Sequence, residues 1–107
     1  MSSKSLDRKT AIVTGAAGDI GSAVTRKFLA EGACVLMVDI NEEKARSAWQ
    51  TLDVGEDRCA VHNCDISNRD AAHASIDDAV SRFGSLDILV NGAAATTPGT
   101  TVAELEP

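Results

Sequence analysis

Short apolar runs alternate with longer segments of helical periodicity along most of the chain. The runs contain β-branched or other apolar residues and end at polar or glycine positions, as strands do, over 9–14, 34–40, 58–63 and 86–91. The segments between them repeat apolar residues at intervals of three and four, over 19–31, 42–52 and 68–83. The pattern therefore predicts four strands separated by three helices.

The predicted helices have recognisable ends and apolar faces. Asn41 can cap the second helix, and Gly32 and Gly84 follow the first and third helices as stop signals. On the first helix the expected buried face is Ile20, Ala23, Val24, Phe28 and Leu29. On the third helix it is Ala72, Ile76, Ala79, Val80 and Phe83.

Strands that alternate with helices form a parallel sheet with right-handed crossovers. We expect a Rossmann-like, doubly wound α/β domain over residues 1–107, with strand order 3-2-1-4. In that order the fourth strand forms one edge, which later strands and helices would normally cover. Because this sequence lacks them, we expect the domain to be incomplete.

Composition and charge narrow the function classes. The chain has 107 residues, 44% hydrophobic and 24% charged, which is typical of one soluble globular domain. Ten Lys and Arg against 16 Asp and Glu give a net charge of −6, which argues against nucleic acid or an anionic membrane as partner. Residues 1–10 are too polar for a secretory signal, and no apolar run is long enough to span a bilayer. We expect a cytoplasmic protein.

Three cysteines occur without a Cys-x-x-Cys pair or a histidine at metal-ligand spacing. Cys34, Cys59 and Cys64 are therefore interpreted as reduced thiols that fill small apolar spaces in or beside strands. Neither a disulfide framework nor a metal site is predicted.

Residues 14–21, Thr-Gly-Ala-Ala-Gly-Asp-Ile-Gly, join the first strand to the first helix. Gly15 permits a sharp turn, Gly18 lets the backbone approach a pyrophosphate, and Gly21 lets helix and strand pack closely. The free N–H groups of the helix start, around Asp19 and Ile20, would face the phosphates. The alternative is an ordinary glycine turn with small residues serving helix packing.

Asp39 ends the second strand, eighteen residues after Gly21. There a carboxylate can accept hydrogen bonds from both hydroxyls of an adenosine ribose, and it would repel a 2′-phosphate. Neither Ile40, a further cofactor-binding candidate, nor Asn41 supplies a cation, so the sequence predicts NAD rather than NADP. The alternative is an acid that caps the helix beginning after Asn41.

These motifs resemble those of the short-chain dehydrogenase/reductase family from Lys9 to about Pro107. The turn at 14–21, Asp39, the pair Asp65-Ile66 after the third strand, and Leu-Asp-Ile-Leu-Val-Asn-Gly-Ala-Ala at 86–94 follow one another at the family's spacing. The resemblance implies a nucleotide-binding half of an NAD-dependent enzyme.

The resemblance also implies roles for residues after the third and fourth strands. Asp65 would line the adenine through its carboxylate, and Ile66 through its backbone and apolar contact. Asn91 and Ala93, within the stretch 91–94, would underlie the ribose on the nicotinamide side. Alternatively, Asp65 is an N-cap or turn residue before the third helix, and Asn91 is a structural link between neighbouring strands.

Two departures from the family pattern stand out. The family's short-chain branch reads Thr-Gly-x-x-x-Gly-x-Gly, whereas this chain has Gly18 and then Asp19, which makes the turn less permissive and places negative charge near the pyrophosphate unless it points outward. Gly92 and Ala94 stand where the family has Asn and Gly, so an amide that would brace the sheet is lost.

The resemblance implies hydride transfer between nicotinamide and an alcohol or carbonyl, with a tyrosine as acid/base and a lysine four residues further on. The chain contains no tyrosine, so no catalytic residue is predicted. His62 and His73 are interpreted as structural or exposed, and Trp49 as a packing residue.

We therefore expect the amino-terminal, cofactor-binding half of a longer enzyme that acts on a small-molecule alcohol or carbonyl and forms a homo-oligomer. The substrate is not fixed, because the residues that would shape its pocket are absent. The alternatives are a stand-alone nucleotide-binding or interaction module that pairs through its exposed edge strand, and a methyltransferase, which also combines a glycine turn with an acid after strand 2.

Overall fold

All seven predicted elements are present in the computed structural model, which describes residues 6–65 and 67–92. The strands are β1 (Thr10–Thr14), β2 (Cys34–Asp39), β3 (Cys59–Asn63) and β4 (Ile88–Asn91). The helices are α1 (Asp19–Ala30), α2 (Glu42–Gln50) and α3 (Arg69–Phe83). Every boundary lies within two residues of the predicted one.

The four strands form one parallel sheet in the order β3-β2-β1-β4, which confirms the predicted topology. Thr14 pairs with Val38 on one side and with Asn91 on the other, and Asp39 pairs with Asn63. The carboxyl ends of all four strands therefore lie along one rim of the sheet, called the carboxyl rim below.

The sheet is covered on both faces because successive strand residues point in opposite directions. Ala11 and Val13 of β1 pack in one cluster with Leu29 of α1 and with Trp49 of α2. Ile12 belongs to the opposite cluster, where Ala79, Ile76 and Phe83 of α3 pack. The strands β1 and β2 are almost wholly buried, as expected for parallel strands between two helical layers.

The helix ends follow the predicted signals. Asn41 caps α2 by accepting a hydrogen bond from the Lys44 amide through its side chain, and Gly84 ends α3 in the left-handed conformation, with φ of 93°. Within residues 6–65 and 67–92, no helix combines the length and apolarity needed to span a membrane.

The predicted apolar faces are partly wrong. Ile20 is 47% exposed, Val80 is 44% exposed, and Ala23 is also exposed. The buried residues of α1 are Gly21, Thr25 and Leu29. Thr25 can be buried because its hydroxyl donates to the Gly21 carbonyl at 2.8 Å, so the hydroxyl keeps a partner away from water.

Cys59 and Trp49 pack in the apolar core as predicted, whereas Cys34 and Cys64 are only partly buried. Cys34, Cys59 and Cys64 are free, and burial raises the pKa of Cys59 to about 12. Trp49 donates its indole N–H to the Cys59 carbonyl at 2.8 Å, which fixes α2 against the start of β3. His73 is exposed on α3.

His62 has a structural role, because its Nδ1 lies 2.8 Å from Oδ2 of Asp78 and joins β3 to α3. Arg82 donates from its Nε to Oδ1 of the same carboxylate at 2.8 Å. Partial burial acts to raise the pKa of Asp78, but the hydrogen bonds and positive charges of His62 and Arg82 outweigh it, and the net pKa lies below the ordinary value of 3.8.

We expect Asp78→Asn to lower the free energy of unfolding at neutral pH by about 1 kcal/mol, because it weakens two charge-assisted hydrogen bonds. The folded-state pKa is lowered, so this stabilisation is present above the unfolded pKa and is lost as pH falls through the folded one. Urea unfolding of both proteins from pH 7 to 3 checks this. A stability difference that does not shrink below about pH 4 would contradict it.

Candidate nucleotide-binding site

The turn between β1 and α1 reverses the chain at the carboxyl rim. Gly15 has a φ of 63°, in the left-handed region that favours glycine. The Gly18 amide donates to the Gly15 carbonyl at 3.1 Å, and Gly18 itself is extended and forms the N-cap of α1. The turn therefore directs the first turn of α1 towards the rim.

Gly21 lets that first helical turn pack directly on the backbone of the glycine turn. A Cβ at Gly21 would overlap the carbonyl oxygen of Gly15 and would lie 2.8 Å from Cα of Ala16. Ala16 is itself fully buried. The close packing of helix and turn expected from the sequence is therefore present.

Asp39 contacts the glycine turn. Its Oδ2 accepts a hydrogen bond from the Ala17 amide at 2.9 Å, and its Oδ1 accepts one from the Asn41 amide at 2.9 Å. The side chain of Asn41, rather than that of Asp39, caps α2. Asp39 thus holds the turn after β1 against the turn after β2.

The N-terminus of α1 has no side-chain cap. Its first backbone N–H groups lack intrahelical acceptors, as at any helix start, and they point along the axis towards the rim. Asp19 and Ile20 are exposed in this first turn. Asp19 has no positive φ, and its negative charge lies in the first turn of the helix.

A cavity of about 140 Å³ opens between the glycine turn and the residues that follow β2 and β3. Its lining residues are Thr14, Gly15, Val38, Asp39, Ile40, Cys64 and Asp65. Ile40 is 68% exposed, although the preceding residues of β2 are buried. The cavity therefore combines an exposed apolar side chain with two carboxylates.

Asp65 stands at this cavity as a turn residue. Its Oδ1 accepts hydrogen bonds from the Ser67 hydroxyl at 2.7 Å and the Ser67 amide at 3.0 Å, which lower the pKa of Asp65. Asn68, three residues on, caps α3. The turn alternative for Asp65 is thus realised, and Ile66 lies outside the described residues.

Asn91 links β4 to β1. The Thr14 hydroxyl donates to Oδ1 of Asn91 at 3.0 Å and to the Val90 carbonyl at 3.3 Å, as the structural alternative for Asn91 predicts. Ala93, the remaining candidate, lies outside the described residues. A second cavity of about 220 Å³ lies on the α3 face, and its lining residues are Ile12, Thr14, Ala72, Ser75, Ile76, Leu89 and Asn91.

The structure adds site residues that the sequence did not single out. The backbone N–H of Ala17 donates the hydrogen bond that Asp39 accepts, and Cys64 lines the cavity of about 140 Å³ beside Asp39. The position of Cys64 directly after β3, beside Asp65, was the available signal; nothing in the sequence marked Ala17. Among the described residues no group of His, Cys, Asp or Glu side chains is arranged to hold a metal ion.

Comparison with known proteins decides the family. The sequence model described as short chain dehydrogenase matches residues 9–107, which is nearly the whole chain. The chain belongs to the short-chain dehydrogenase family. Members of this family bind a nicotinamide cofactor, NAD or NADP, which agrees with the position of the glycine turn and Asp39 at one rim.

Individual short-chain dehydrogenases agree with this membership. The 3beta-hydroxysteroid dehydrogenase 2 of Eggerthella lenta is 38% identical over 98 residues, covering 92% of this chain and 38% of the relative. The glucose/ribitol dehydrogenase from Brucella melitensis superposes with a TM-score of 0.76 at 32% identity, over 84% of this chain and 37% of its own.

A further similar structure is the C-domain of a bacterial malonyl-CoA reductase with NADP. Its TM-score is 0.73 at 26% identity, over 84% of this chain and 15% of that protein. This short-chain dehydrogenase chain therefore spans less than half the length of the relatives described.

Proposed function

We propose that the chain binds NAD across the carboxyl rim and serves as the nucleotide-binding half of an oxidoreductase that transfers hydride between nicotinamide and an alcohol or carbonyl. The observation that carries the proposal is the 2.9 Å hydrogen bond from the Ala17 amide to Asp39. This bond supports the proposal because it brings Asp39, the proposed ribose acid, next to the glycine turn, the proposed pyrophosphate site. An acid on the opposite rim would be incompatible with one nucleotide.

The adenosine ribose is assigned to Asp39. Each carboxylate oxygen accepts one hydrogen bond from a backbone amide. Because a carboxylate offers about four lone-pair sites, each oxygen retains one lone pair for a ribose hydroxyl. The side chain is only partly buried, so a ligand can reach it. Ile40 and Asp65 then flank the adenine side through the cavity that they share with Asp39.

The pyrophosphate is assigned to the N-terminus of α1. Backbone N–H groups and the helix dipole favour an anion there, and no side chain of the chain occupies the capping position. Gly15 and Gly18 add no side chains to this approach, and Gly21 lets α1 pack on the turn. Asp19 opposes the anion electrostatically, although its exposure to water weakens that effect.

NAD is proposed rather than NADP because Asp39 would repel a 2′-phosphate, and because Ile40 and Asn41 offer no positive charge to hold one. The NADP complex of the malonyl-CoA reductase domain shows that this fold also accepts NADP, so the choice depends on these local residues.

The hydride-transfer step is assigned to the whole enzyme. The chain contains no tyrosine, so the acid/base tyrosine that the family resemblance implies is not among its residues. What these residues supply is binding and orientation of the nucleotide. The substrate, a homo-oligomeric state and a cytoplasmic location stay predictions about the whole enzyme.

Alkylation of Cys64 tests the site. Cys64 lines the cavity with Asp39 and Asp65, so bound NAD should slow its reaction with N-ethylmaleimide about in proportion to the occupied fraction of the protein. Burial raises the pKa of Cys64, with a further contribution from Asp65, so the reaction is followed at about pH 8.5 to provide thiolate.

Cys34 is the internal control in the same chain. It begins β2 at the opposite rim from Cys64, and burial also raises its pKa. Peptide mass spectrometry at increasing NAD should show protection of Cys64 and no protection of Cys34. Equal protection of both thiols, or of neither, would contradict the proposed site.

A further inference from the structure

Gly92 lies where the end of β4 meets the turn between β1 and α1. A Cβ at Gly92 would overlap the carbonyl oxygen of Thr14 and would lie 3.7 Å from Cα of Gly21. The overlapped atom belongs to the backbone, so no side-chain rotation relieves it. Gly92 is not among the glycines with positive φ, which means that space, rather than backbone conformation, requires glycine here.

Three backbone segments meet at this point without a side chain between them. Gly92 rests on Thr14 at the end of β1, and Gly21 of α1 rests on Gly15 and Ala16 of the turn. The Thr14 hydroxyl also donates to Asn91 and Val90, which holds β4 against β1. Because close-packed backbone transmits displacement, a group inserted at Gly92 must move either the Thr14 carbonyl or the end of β4.

If the Thr14 carbonyl moves, the displaced segment is the turn that leads to the proposed phosphate donors. Thr14 is followed directly by Gly15, and the turn from Gly15 to Gly18 leads into α1. Asp39 meets the same turn from the other side, at the Ala17 amide. The turn is therefore held between β2 and β4.

We propose that Gly92 is a positioning residue for the diphosphate of the cofactor. Its lack of a side chain lets β4 rest against the glycine turn and keeps the first N–H groups of α1 at the rim. This inference rests on the proposed nucleotide site, but it concerns the phosphate part and not the ribose part at Asp39.

The test compares adenosine with ADP, which share the ribose and differ in the diphosphate. Both are titrated into the 107-residue chain and followed by ¹H–¹⁵N NMR. Gly92→Ala is expected to weaken ADP binding about tenfold, the loss of roughly one charge-assisted hydrogen bond, and to leave adenosine binding within about twofold. A merely structural role would weaken both ligands alike.

Gly55→Ala is the matched control. Gly55 lies in the loop before β3, at the opposite rim, and its Cβ would meet only the side chain of Asp57, which can rotate away. This variant should bind both ligands as the unchanged chain does. Loss of ADP affinity in it equal to that in Gly92→Ala would overturn the proposal.

The remaining outcomes separate the two proposals. Unchanged ADP binding by Gly92→Ala overturns the role of Gly92 and leaves the nucleotide site standing, whereas failure of the unchanged chain to bind adenosine or ADP overturns both. If Gly92→Ala does not fold, the unchanged chain decides: ADP, and not adenosine, should shift the Gly92 amide resonance. Equal shifts with both ligands, or none, would overturn the proposal.

Discussion

Replacing Asp39 by alanine should weaken NAD binding by about 1 to 3 kcal/mol, the range for removing a charged hydrogen-bond partner. The variant loses the acceptor for the ribose hydroxyls and also releases the Ala17 and Asn41 amides. The turn that carries the phosphate donors is then no longer braced from β2. Because ribose and turn are affected together, we expect the loss to approach the upper end of that range.

The same substitution should narrow the preference for NAD over NADP, since the negative charge that repels a 2′-phosphate is removed. Asp39→Asn separates the two roles, because the amide keeps one oxygen acceptor for the turn while losing the charge. We expect it to narrow the preference with a smaller loss of NAD affinity than Asp39→Ala. Isothermal titration calorimetry with NAD and NADP measures both quantities.

Asp57→Ala provides a control with the same change in charge. Asp57 is exposed in the loop before β3, at the rim opposite Asp39. The Asp57→Ala variant should bind NAD and NADP with the same affinities as the unchanged chain. Unchanged NAD affinity in Asp39→Ala would contradict the assignment of the ribose to Asp39. Equal losses of NAD affinity in both variants would indicate an effect of net charge alone.

The fold could be predicted from local patterns because they act through backbone geometry. Apolar runs such as 34–39 form strands covered on both faces, and Asn41 and Gly84 supply helix ends whose chemistry is local. The prediction of which face of α1 is buried is partly wrong. Helical periodicity cannot distinguish the exposed Ile20 from the buried Thr25, since which side meets the sheet depends on the close approach at Gly21.

The site shows the same division. The rim shared by Asp39 and the glycine turn follows from parallel strands being neighbours, so their proximity was predictable. The bond from Ala17 to Asp39 and the contact of Gly92 with Thr14 were not, because each joins residues far apart in sequence. The sequence marked Gly92 only as a missing amide, whereas the structure shows a position with no room for a side chain.

Gly21→Ala should lower the free energy of unfolding by about 1 to 3 kcal/mol, as overpacking of a filled site does. The new methyl would overlap the Gly15 carbonyl and lie 2.8 Å from Cα of Ala16, both backbone atoms of the glycine turn. Alanine is the better helix former by about 1 kcal/mol, so the overlap must first exceed that gain. Urea unfolding followed by the fluorescence of Trp49, the single tryptophan, measures the difference.

Gly18→Ala is the matched variant within the same turn. A Cβ there would lie 3.5 Å from the Gly15 carbonyl, an ordinary contact, and Gly18 has a φ of −79° that alanine adopts freely. Its stability should stay within about 0.5 kcal/mol, because a poorer N-cap is offset by a less flexible unfolded chain. The sequence presents the two glycines as one motif. A large loss of stability in Gly18→Ala, with no loss in Gly21→Ala, would contradict these roles. Gly18 would then be the packing position, and Gly21 would lie at the open face of the turn.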